Sequence, residues 1–382
     1  MTNPNHVNNA YWSQSADDLL TQLHSTPQGL ATPVPASAII SPLDERKGLH
    51  VRRIWSKIGV GLALGLAVIV GLALFADVRA VVNVITVFHW PYAPLILGLT
   101  LFNYTLRFFK WHYYIRLIGA EKITWRDSLR LFIGGFPLAL SPGKIAEPIK
   151  AVWLKHYTAL PVARGIPVVV AERISDGLAV LLLSTLGVIA YPQYWPSFVV
   201  VLAGLLAVIT LSQVRPAALW MLGVGERLPM VSRFSRHLHE FYESMYQLFG
   251  LKSTLIAVGL GMVSWLGEGI GFYFVLRGLG LPPSIQTASI AIFVLSFSTV
   301  IGAASSMPGG LGAAEVSIAG MLALTLGAPE EIAVSATLLI RFFTLWFGVA
   351  LGLVVLLSSP WLLLLDVSSS ATLSHVVEER PS

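Results

Sequence analysis

The sequence has no cysteine among its 382 residues and few charged residues. The absence of thiols excludes disulfide bonds, thiolate metal ligands and cysteine nucleophiles. Charged residues make up 12% of the chain, whereas a soluble domain carries about 25%. Hydrophobic residues reach 55%, and the mean hydropathy is +0.73. This balance predicts an integral membrane protein.

Motifs for nucleotide, dinucleotide and zinc binding are also missing, and the nine histidines are scattered along the chain. The net charge of +5 comes mostly from lysines and arginines between the apolar runs, so it does not indicate a nucleic-acid partner. We therefore expect no cofactor, no metal site, no nucleic-acid partner and no catalytic residue. The sequence favours a protein that is not an enzyme.

Both ends of the chain are polar. Residues 1–50 are rich in Pro, Ser, Thr and Asn and lack a sustained period, which predicts a disordered cytosolic tail. The first apolar run begins only near Ile58, so this tail does not have the form of a signal peptide. Residues 366–382 predict a second, shorter cytosolic tail.

Runs of about 20 apolar residues predict an all-α polytopic membrane protein with about six transmembrane helices. We place the spans at Ile58–Ala76, Tyr92–Phe109, Ile166–Tyr191, Ser197–Leu211, Ser253–Leu276 and Ile332–Leu357.

Two further apolar stretches are interrupted. Leu129–Leu140 runs into SPGK, and Ile285–Ser305 runs into MPGG. Proline and glycine break helices, and a broken backbone persists at membrane depth only inside protein or beside a wet cavity. Both stretches therefore predict re-entrant hairpins. Their tips are Pro142 and Gly143 in the first hairpin, and Pro308, Gly309, Gly310 and Gly312 in the second.

Lysine and arginine predict the orientation, because they concentrate on the cytosolic side. Five lie in Arg46–Lys57, nine in Lys110–Arg164 and five in Arg215–Lys252, against only Arg79 and Arg277 on the opposite side. The bias predicts a multi-pass protein with both termini in the cytosol, and we place it in the inner (plasma) membrane. The first hairpin then enters from the cytosol and the second from outside.

The two interrupted regions share a spacing. Glu147 precedes Arg173 by 26 residues, and Glu315 precedes Arg341 by 26 residues. Upstream, YIRLIGA resembles VLRGLGL at an offset of 161 residues, which places Arg107 opposite Glu268. We interpret residues 92–191 and 253–357 as two repeats of opposite orientation. Inverted repeats with broken helices are typical of alternating-access transporters.

Charged residues within the predicted spans require partners, since each costs about 2.5–3.5 kcal/mol at a helix centre on insertion scales. They can line a polar path for a charged headgroup or form an interhelical salt-bridge lock, and the sequence leaves both open. Glu172, Arg173 and Asp176 lie in one predicted span and, when paired, can neutralise one another inside the bundle. The candidate path comprises Glu147, Arg173, Asp176, Glu315, Arg341, Lys144, Glu172, Glu268 and Arg107.

Glu147 and Glu315 are each predicted one turn into a helix that starts at a broken tip. A helix N-terminus can hold an anion, or the glutamate can cap the free N–H groups. Lys144 can bind a phosphate at the first tip or extend to the interface. Arginine suits phosphate because its planar fork can bond two oxygens.

At these motifs the sequence resembles a known family. FPLALSPGKIAEPIK, AERISDGLAVLLL, SSMPGGLGAAE and LLIRFFTLWFG are similar to the lysylphosphatidylglycerol synthase transmembrane region, also called the flippase-like domain family. The resemblance covers about Ser56 to Pro360. It departs from the expected pattern at Ala146, where a glycine would precede the glutamate. The chain ends at Ser382, so we do not expect the aminoacyl-transferase domain of the lysyl-lipid synthases.

The resemblance implies a membrane lipid flippase or transporter for an anionic, polyprenyl- or hopanoid-type lipid. Membrane lipids are the implied partners, and lipid-biosynthesis enzymes are further candidates. A membrane glycosyltransferase is the enzymatic alternative, but the outer loops are short and contain one acidic residue, Asp77. A scaffold for envelope synthesis is a third interpretation. It would use the 1–50 tail and the amphipathic stretch Glu226–Gly250, which we otherwise expect to lie on the inner leaflet.

Overall fold

A computed structural model of the chain describes residues 78–141, 145–188, 195–216, 235–359 and 361–364. It also describes eight positions further upstream, which are 59, 63, 65–68, 70 and 71. Throughout these ranges the secondary structure is helical, without a strand. The predicted tails, most of the span Ile58–Ala76 and the residues Pro142, Gly143 and Lys144 lie outside the described residues.

The first half of the described chain contains six α-helices and two 3-10 turns. The helices are α1 (Val78–Thr86), α2 (Ala93–Leu117), α3 (Trp125–Gly134), α4 (Ile149–Thr158), α5 (Val162–Val188) and α6 (Trp195–Gln213). The 3-10 turns are Trp90–Tyr92, which leads into α2, and Phe136–Leu140, which follows α3.

The second half of the described chain contains seven further helices. Its helices are α7 (Ser235–Leu248), α8 (Leu251–Gly278), α9 (Ile285–Ala304), α10 (Ala313–Leu326), α11 (Glu330–Arg341), α12 (Phe347–Ser358) and the short α13 (Trp361–Leu364). A 3-10 turn, Pro308–Gly310, separates α9 from α10, and a π-helical turn, Phe342–Trp346, joins α11 to α12.

Four described segments are long and apolar enough to cross a membrane: α8, α9, Pro308–Leu326 and Glu330–Ser358. A fifth is present if α1 and Trp90–Leu117, which are bent by 69° relative to each other, form one span. The sequence predicted about six. The long helix α5 is not among these segments, because the three charged residues Glu172, Arg173 and Asp176 lie near its middle. The apolar part of α6 is only Phe198–Gln213.

Helices α2 and α8 form the central contact. Gly267 packs against Phe102, and Gly271 packs against Leu99 and Ile96. Residue numbers rise along α8 as they fall along α2, so the two helices are antiparallel. Both glycines face α2, and their spacing of four residues lets the two helices pack closely.

Polar groups pair at the middle of this contact. The Asn103 amide donates to the Ser264 carbonyl at 3.1 Å, and the Ser264 hydroxyl donates to the Asn103 carbonyl at 3.3 Å. These two residues are 161 positions apart, the offset found between the two halves of the sequence. Positions that correspond in the sequence therefore meet and exchange hydrogen bonds.

The two halves also present their elements in the same order. In each, a long helix (α2 or α8) is followed by a helix that runs to a break (α3 or α9). A helix then leaves the break (α4 or α10), and a long helical segment follows (α5 or α11–α12). Two main apolar cores form, one around Trp111 and Trp153 and one around Phe272 and Phe293, and each contains residues of both halves.

Helix α7 differs from the prediction for the Glu226–Gly250 stretch, of which residues 226–234 lie outside the described part. The apolar residues Phe241, Met245 and Leu248 join the first core, and α7 packs against α5. The apolar face that we expected on the lipid surface is therefore at least partly covered by protein.

The packing of α8 against α9 should be sensitive to one added methyl group. A Cβ atom at Gly269 would lie 2.9 Å from the Ile292 Cγ1 atom and 3.1 Å from its Cα atom. We expect Gly269→Ala to destabilise the protein by about 1–3 kcal/mol, because the backbone of α9 must shift. Thermal unfolding of purified protein in detergent measures the effect.

Gly259→Ala is the matched control, because it lies on the same helix and a Cβ atom there would have no neighbour within 4 Å. Its melting temperature should equal or exceed that of the wild type, since alanine favours a helix. Equal melting temperatures for the two variants would contradict the packing described here.

Candidate functional site

The second break is built from glycines in left-handed conformations. Gly309, Gly310 and Gly312 have φ angles of +60°, +70° and +84°. A Cβ atom at Gly310 would lie 3.1 Å from the Cα atom of Gly302, so the break requires glycine here both for its conformation and for its close approach to α9.

Glu315 closes this break on one side. It is the third residue of α10, and its Oε2 atom accepts a hydrogen bond of 2.7 Å from the Gly312 N–H group. The carboxylate therefore caps the helix N-terminus, which was one of the two roles considered for it. The side chain is only 4% exposed, so its remaining oxygen also needs a partner.

Arg341 supplies that partner from the end of α11. Its Nε atom donates to Glu315 Oε1 at 2.5 Å, and its Nη2 atom donates to the Gly309 carbonyl at 2.9 Å. The guanidinium thus connects both sides of the break. The π-helical turn follows immediately, and the Tyr104 hydroxyl donates to its Thr344 carbonyl at 2.6 Å. Such turns occur frequently at functional sites.

The first break is closed by the corresponding pair. Arg173 of α5 binds Glu147 with two parallel hydrogen bonds, Nε to Oε2 at 2.9 Å and Nη2 to Oε1 at 2.8 Å. Upstream, the Ala146 N–H group donates to the Ser141 hydroxyl at 3.0 Å. Glu147 lies two residues before α4 rather than one turn into it, so its predicted position in the helix is wrong.

The two pairs differ in exposure. The side chains of Glu147 and Glu315 are 5% and 4% exposed. The Arg173 side chain is 43% exposed, whereas that of Arg341 is 16% exposed. The arginine of the first pair is therefore the accessible one in this conformation, although it lies near the middle of a 27-residue helix.

The two breaks touch each other. Leu140, at the end of the first 3-10 turn, lies close enough to Gly309 that a Cβ atom there would be 2.8 Å from its Cδ2 atom. Leu140, Leu311 and Val349 form a small apolar cluster between the breaks. A movement of either break would therefore displace residues of the other.

The remaining charges of α5 also find partners on other helices. Glu172 accepts from Lys150 of α4 at 2.8 Å, and the Lys150 ammonium lies 4.0 Å from the centroid of the Trp111 ring. Asp176 pairs with Lys110 and, at 3.4 Å, with Arg107. Our suggestion that Arg173, Glu172 and Asp176 neutralise one another is therefore wrong, because each binds a group from outside α5.

Sequence reasoning missed Lys110 and Lys150. Both were counted with the cytosolic loop charges, yet their side chains are 1% and 9% exposed. Two signals were available: Lys110 lies one helical turn after Arg107, and Lys150 follows Glu147 by three residues. The lysine and arginine excess on the proposed cytosolic side persists without these two.

Glu268 lies at the centre of α8 and is 7% exposed. Arg107, Arg341 and Asp176 are the charged groups that act on it, and Arg107 also lies 5.6 Å from the centroid of the Trp265 ring. The structure thus brings the candidate path residues together, except Lys144, which lies outside the described part. No group of three histidines or carboxylates suited to a metal occurs in the described ranges.

The buried pair on α4 and α5 gives a test of stability. We expect Lys150→Met to destabilise the protein by about 3–5 kcal/mol, because it leaves the Glu172 carboxylate buried without a cation. Adding Glu172→Leu should restore most of the loss. Arg130→Met is the control, since its pair with Asp127 is on the surface and is worth at most about 1 kcal/mol. Unfolding in detergent measures the wild type, Lys150→Met, Glu172→Leu, the double variant and Arg130→Met, and an additive double variant would contradict the pairing.

Comparison with known proteins agrees with the resemblance in the sequence. The profile of the family described as "Lysylphosphatidylglycerol synthase TM region" matches residues 62–352. This range includes both breaks and every ion pair of the site.

Relatives are found among archaeal proteins. A UPF0104 membrane protein of Methanothermobacter thermautotrophicus is 25% identical over 310 residues, which cover 76% of this chain and 90% of the relative. A UPF0104 membrane protein of Pyrococcus horikoshii is 26% identical over 267 residues, covering 63% and 78%. No solved structure matches the chain. The chain is therefore a membrane protein that belongs to the lysylphosphatidylglycerol synthase transmembrane-region family.

Proposed function

We propose that this protein is a lipid transporter of the inner membrane. It moves an amphiphilic lipid with an anionic headgroup, of the phospholipid, polyprenyl or hopanoid type, from one leaflet to the other. The headgroup passes along the charged residues at the two breaks, while the acyl chains remain in the bilayer. Both termini are cytosolic in this proposal.

The observation that carries the proposal is the exposure of Arg173. An arginine near the centre of a membrane helix is costly unless it faces water or a polar partner. Glu147 already binds its guanidinium through two hydrogen bonds, yet 43% of the side chain stays accessible. A water-filled recess that admits a headgroup accounts for both features.

The chemistry of the pairs suits an anionic ligand. A guanidinium bound to a carboxylate by two parallel bonds presents the geometry that also fits a phosphate. A headgroup phosphate can therefore compete with Glu147 for Arg173, and with Glu315 for Arg341. Release of Arg341 would also free the Gly309 carbonyl, and the second break would lose the contact that joins its two sides.

In this proposal, the two inverted repeats open the site alternately toward each side of the membrane. The equivalent helices α2 and α8 are antiparallel, as helices related by an axis in the membrane plane would be. Helix α10 has 14 residues and rises about 21 Å, so the segment Pro308–Leu326 reaches the length of a span only with the glycine break included. In this proposal the break lies at membrane depth, and the second hairpin enters from outside while the first enters from the cytosol.

Transport of a labelled lipid tests the proposal. The probe is phosphatidylglycerol with a fluorophore on one acyl chain, placed in liposomes with purified protein and bleached from outside by dithionite. We expect exchange between leaflets in the wild type. Arg173→Ala and Arg341→Ala should slow it at least about tenfold, because a hydrogen bond to a charged group is worth about 1.5–3 kcal/mol. Glu315→Gln should slow it as well.

Arg130→Ala is the control, since this arginine is exposed and forms a surface ion pair with Asp127. It should transport at the wild-type rate. A phosphatidylcholine probe, which has no net charge, should exchange more slowly than phosphatidylglycerol. Wild-type rates in folded Arg173→Ala, Arg341→Ala and Glu315→Gln proteins would overturn the assigned roles.

A further inference from the structure

Glu268 is the one buried acidic side chain in the described part of the chain that has no ion-pair partner. The other four buried carboxylates, Glu147, Glu172, Asp176 and Glu315, each bind a lysine or an arginine. Glu268 makes neither a hydrogen bond nor an ion pair with any described residue. A buried carboxylate in this position carries a large desolvation penalty when it is ionised.

Its place on α8 is fixed by tight packing on two sides. Gly267 lies against Phe102 of α2, and a Cβ atom at Gly269 would lie 2.9 Å from Ile292 of α9. The helix therefore cannot turn Glu268 toward lipid without separating these contacts. The carboxylate stays between the two halves of the protein.

The charged groups that act most strongly on Glu268 are members of the candidate path. Arg107 comes from α2, Arg341 from α11 and Asp176 from α5, and the Tyr104 hydroxyl of α2 also acts on it. Helix α9 contributes no titratable side chain. Both arginines are already engaged, Arg107 with Asp176 and Arg341 with Glu315.

The charges around Glu268 make its ionisation depend on where these arginines lie. Arg107 and Lys110 together share one carboxylate, Asp176, so an excess positive charge favours ionised Glu268. Burial without a direct partner favours the protonated form. An anionic headgroup that draws away Arg107 or Arg341 removes the favourable charge, and Glu268 then takes up a proton.

We propose that Glu268 is the proton-binding site that couples lipid movement to a proton gradient. The inference rests on the lipid-transport function proposed above. A proton from water on one side binds the Glu268 carboxylate when the anionic headgroup occupies the path. It is released on the other side when the headgroup leaves and the arginine returns. One proton crosses with each monoanionic headgroup, so the step is electroneutral.

Liposomes with a pH gradient test the coupling. Wild-type protein is reconstituted with a trace of acyl-labelled phosphatidylglycerol and a pH-sensitive dye in the lumen. With one proton per lipid, a gradient of about one pH unit should drive a leaflet ratio of about ten for the probe. Imposed lipid movement should also acidify or alkalinise the lumen, and a protonophore should abolish both effects.

The variants locate the site. Glu268→Gln keeps the shape of the side chain but cannot ionise, and it should reduce the leaflet ratio to about one and remove the proton signal. Glu268→Asp should retain gradient-driven accumulation. That result would show that a carboxyl group is needed at this position, rather than the shape of the glutamate side chain. Glu121→Gln, in an exposed loop, is the control and should behave as the wild type.

The outcomes separate the two proposals. Probe exchange by the wild type with a leaflet ratio of one and no proton signal would overturn the proton site and leave lipid transport intact. No exchange under any gradient would overturn lipid transport itself, and the inference with it. A wild-type ratio in Glu268→Gln, or accumulation driven by a sodium gradient alone, would also overturn the assignment to this carboxylate.

Discussion

The arrangement depends on ion pairs that bridge breaks between the helices of a membrane protein. A break leaves backbone N–H and C=O groups without helical partners, and lipid offers none. At the second break Glu315 accepts from Gly312 and Arg341 donates to the Gly309 carbonyl, so one ion pair satisfies groups on both sides. The pair of Glu147 and Arg173 occupies the same place at the first break. In each case the arginine comes from the next long helical segment, which ties the break to the bundle.

Ion pairs of this kind suit the rearrangement that the proposed transport requires. A buried pair contributes little net stability because desolvation offsets most of the attraction. Breaking it without a substitute is costly, whereas exchanging the carboxylate for a phosphate is not. The two breaks touch through Leu140 and Gly309, so in the proposed mechanism an exchange at one break displaces residues of the other. Arg173 is more exposed than Arg341, so the first pair is the more accessible of the two in this conformation.

Sequence reasoning found the positions of the breaks and the matched spacing of their glutamates and arginines. The two breaks could be recognised as related because residue type and spacing are read directly from the sequence. Sequence reasoning could not assign the partners, since the choice between Asp176 and Glu147 for Arg173 depends on how α4 packs on α5. Lys150 was assigned to a loop for the same reason. A lysine in a short helix of polar and apolar residues is expected on the surface unless its buried partner, here Glu172, is known.

The central claim is that the two breaks open toward opposite sides of the membrane. Because the chain has no cysteine, single cysteines can be labelled without background. Ile145 and Met307 are accessible residues at the first and second break, and Lys122 and Gln286 mark the two proposed faces. A membrane-impermeant maleimide should reach Ile145→Cys only from the side that labels Lys122→Cys. It should reach Met307→Cys only from the side that labels Gln286→Cys. Labelling of both breaks from a single side would contradict the inverted arrangement.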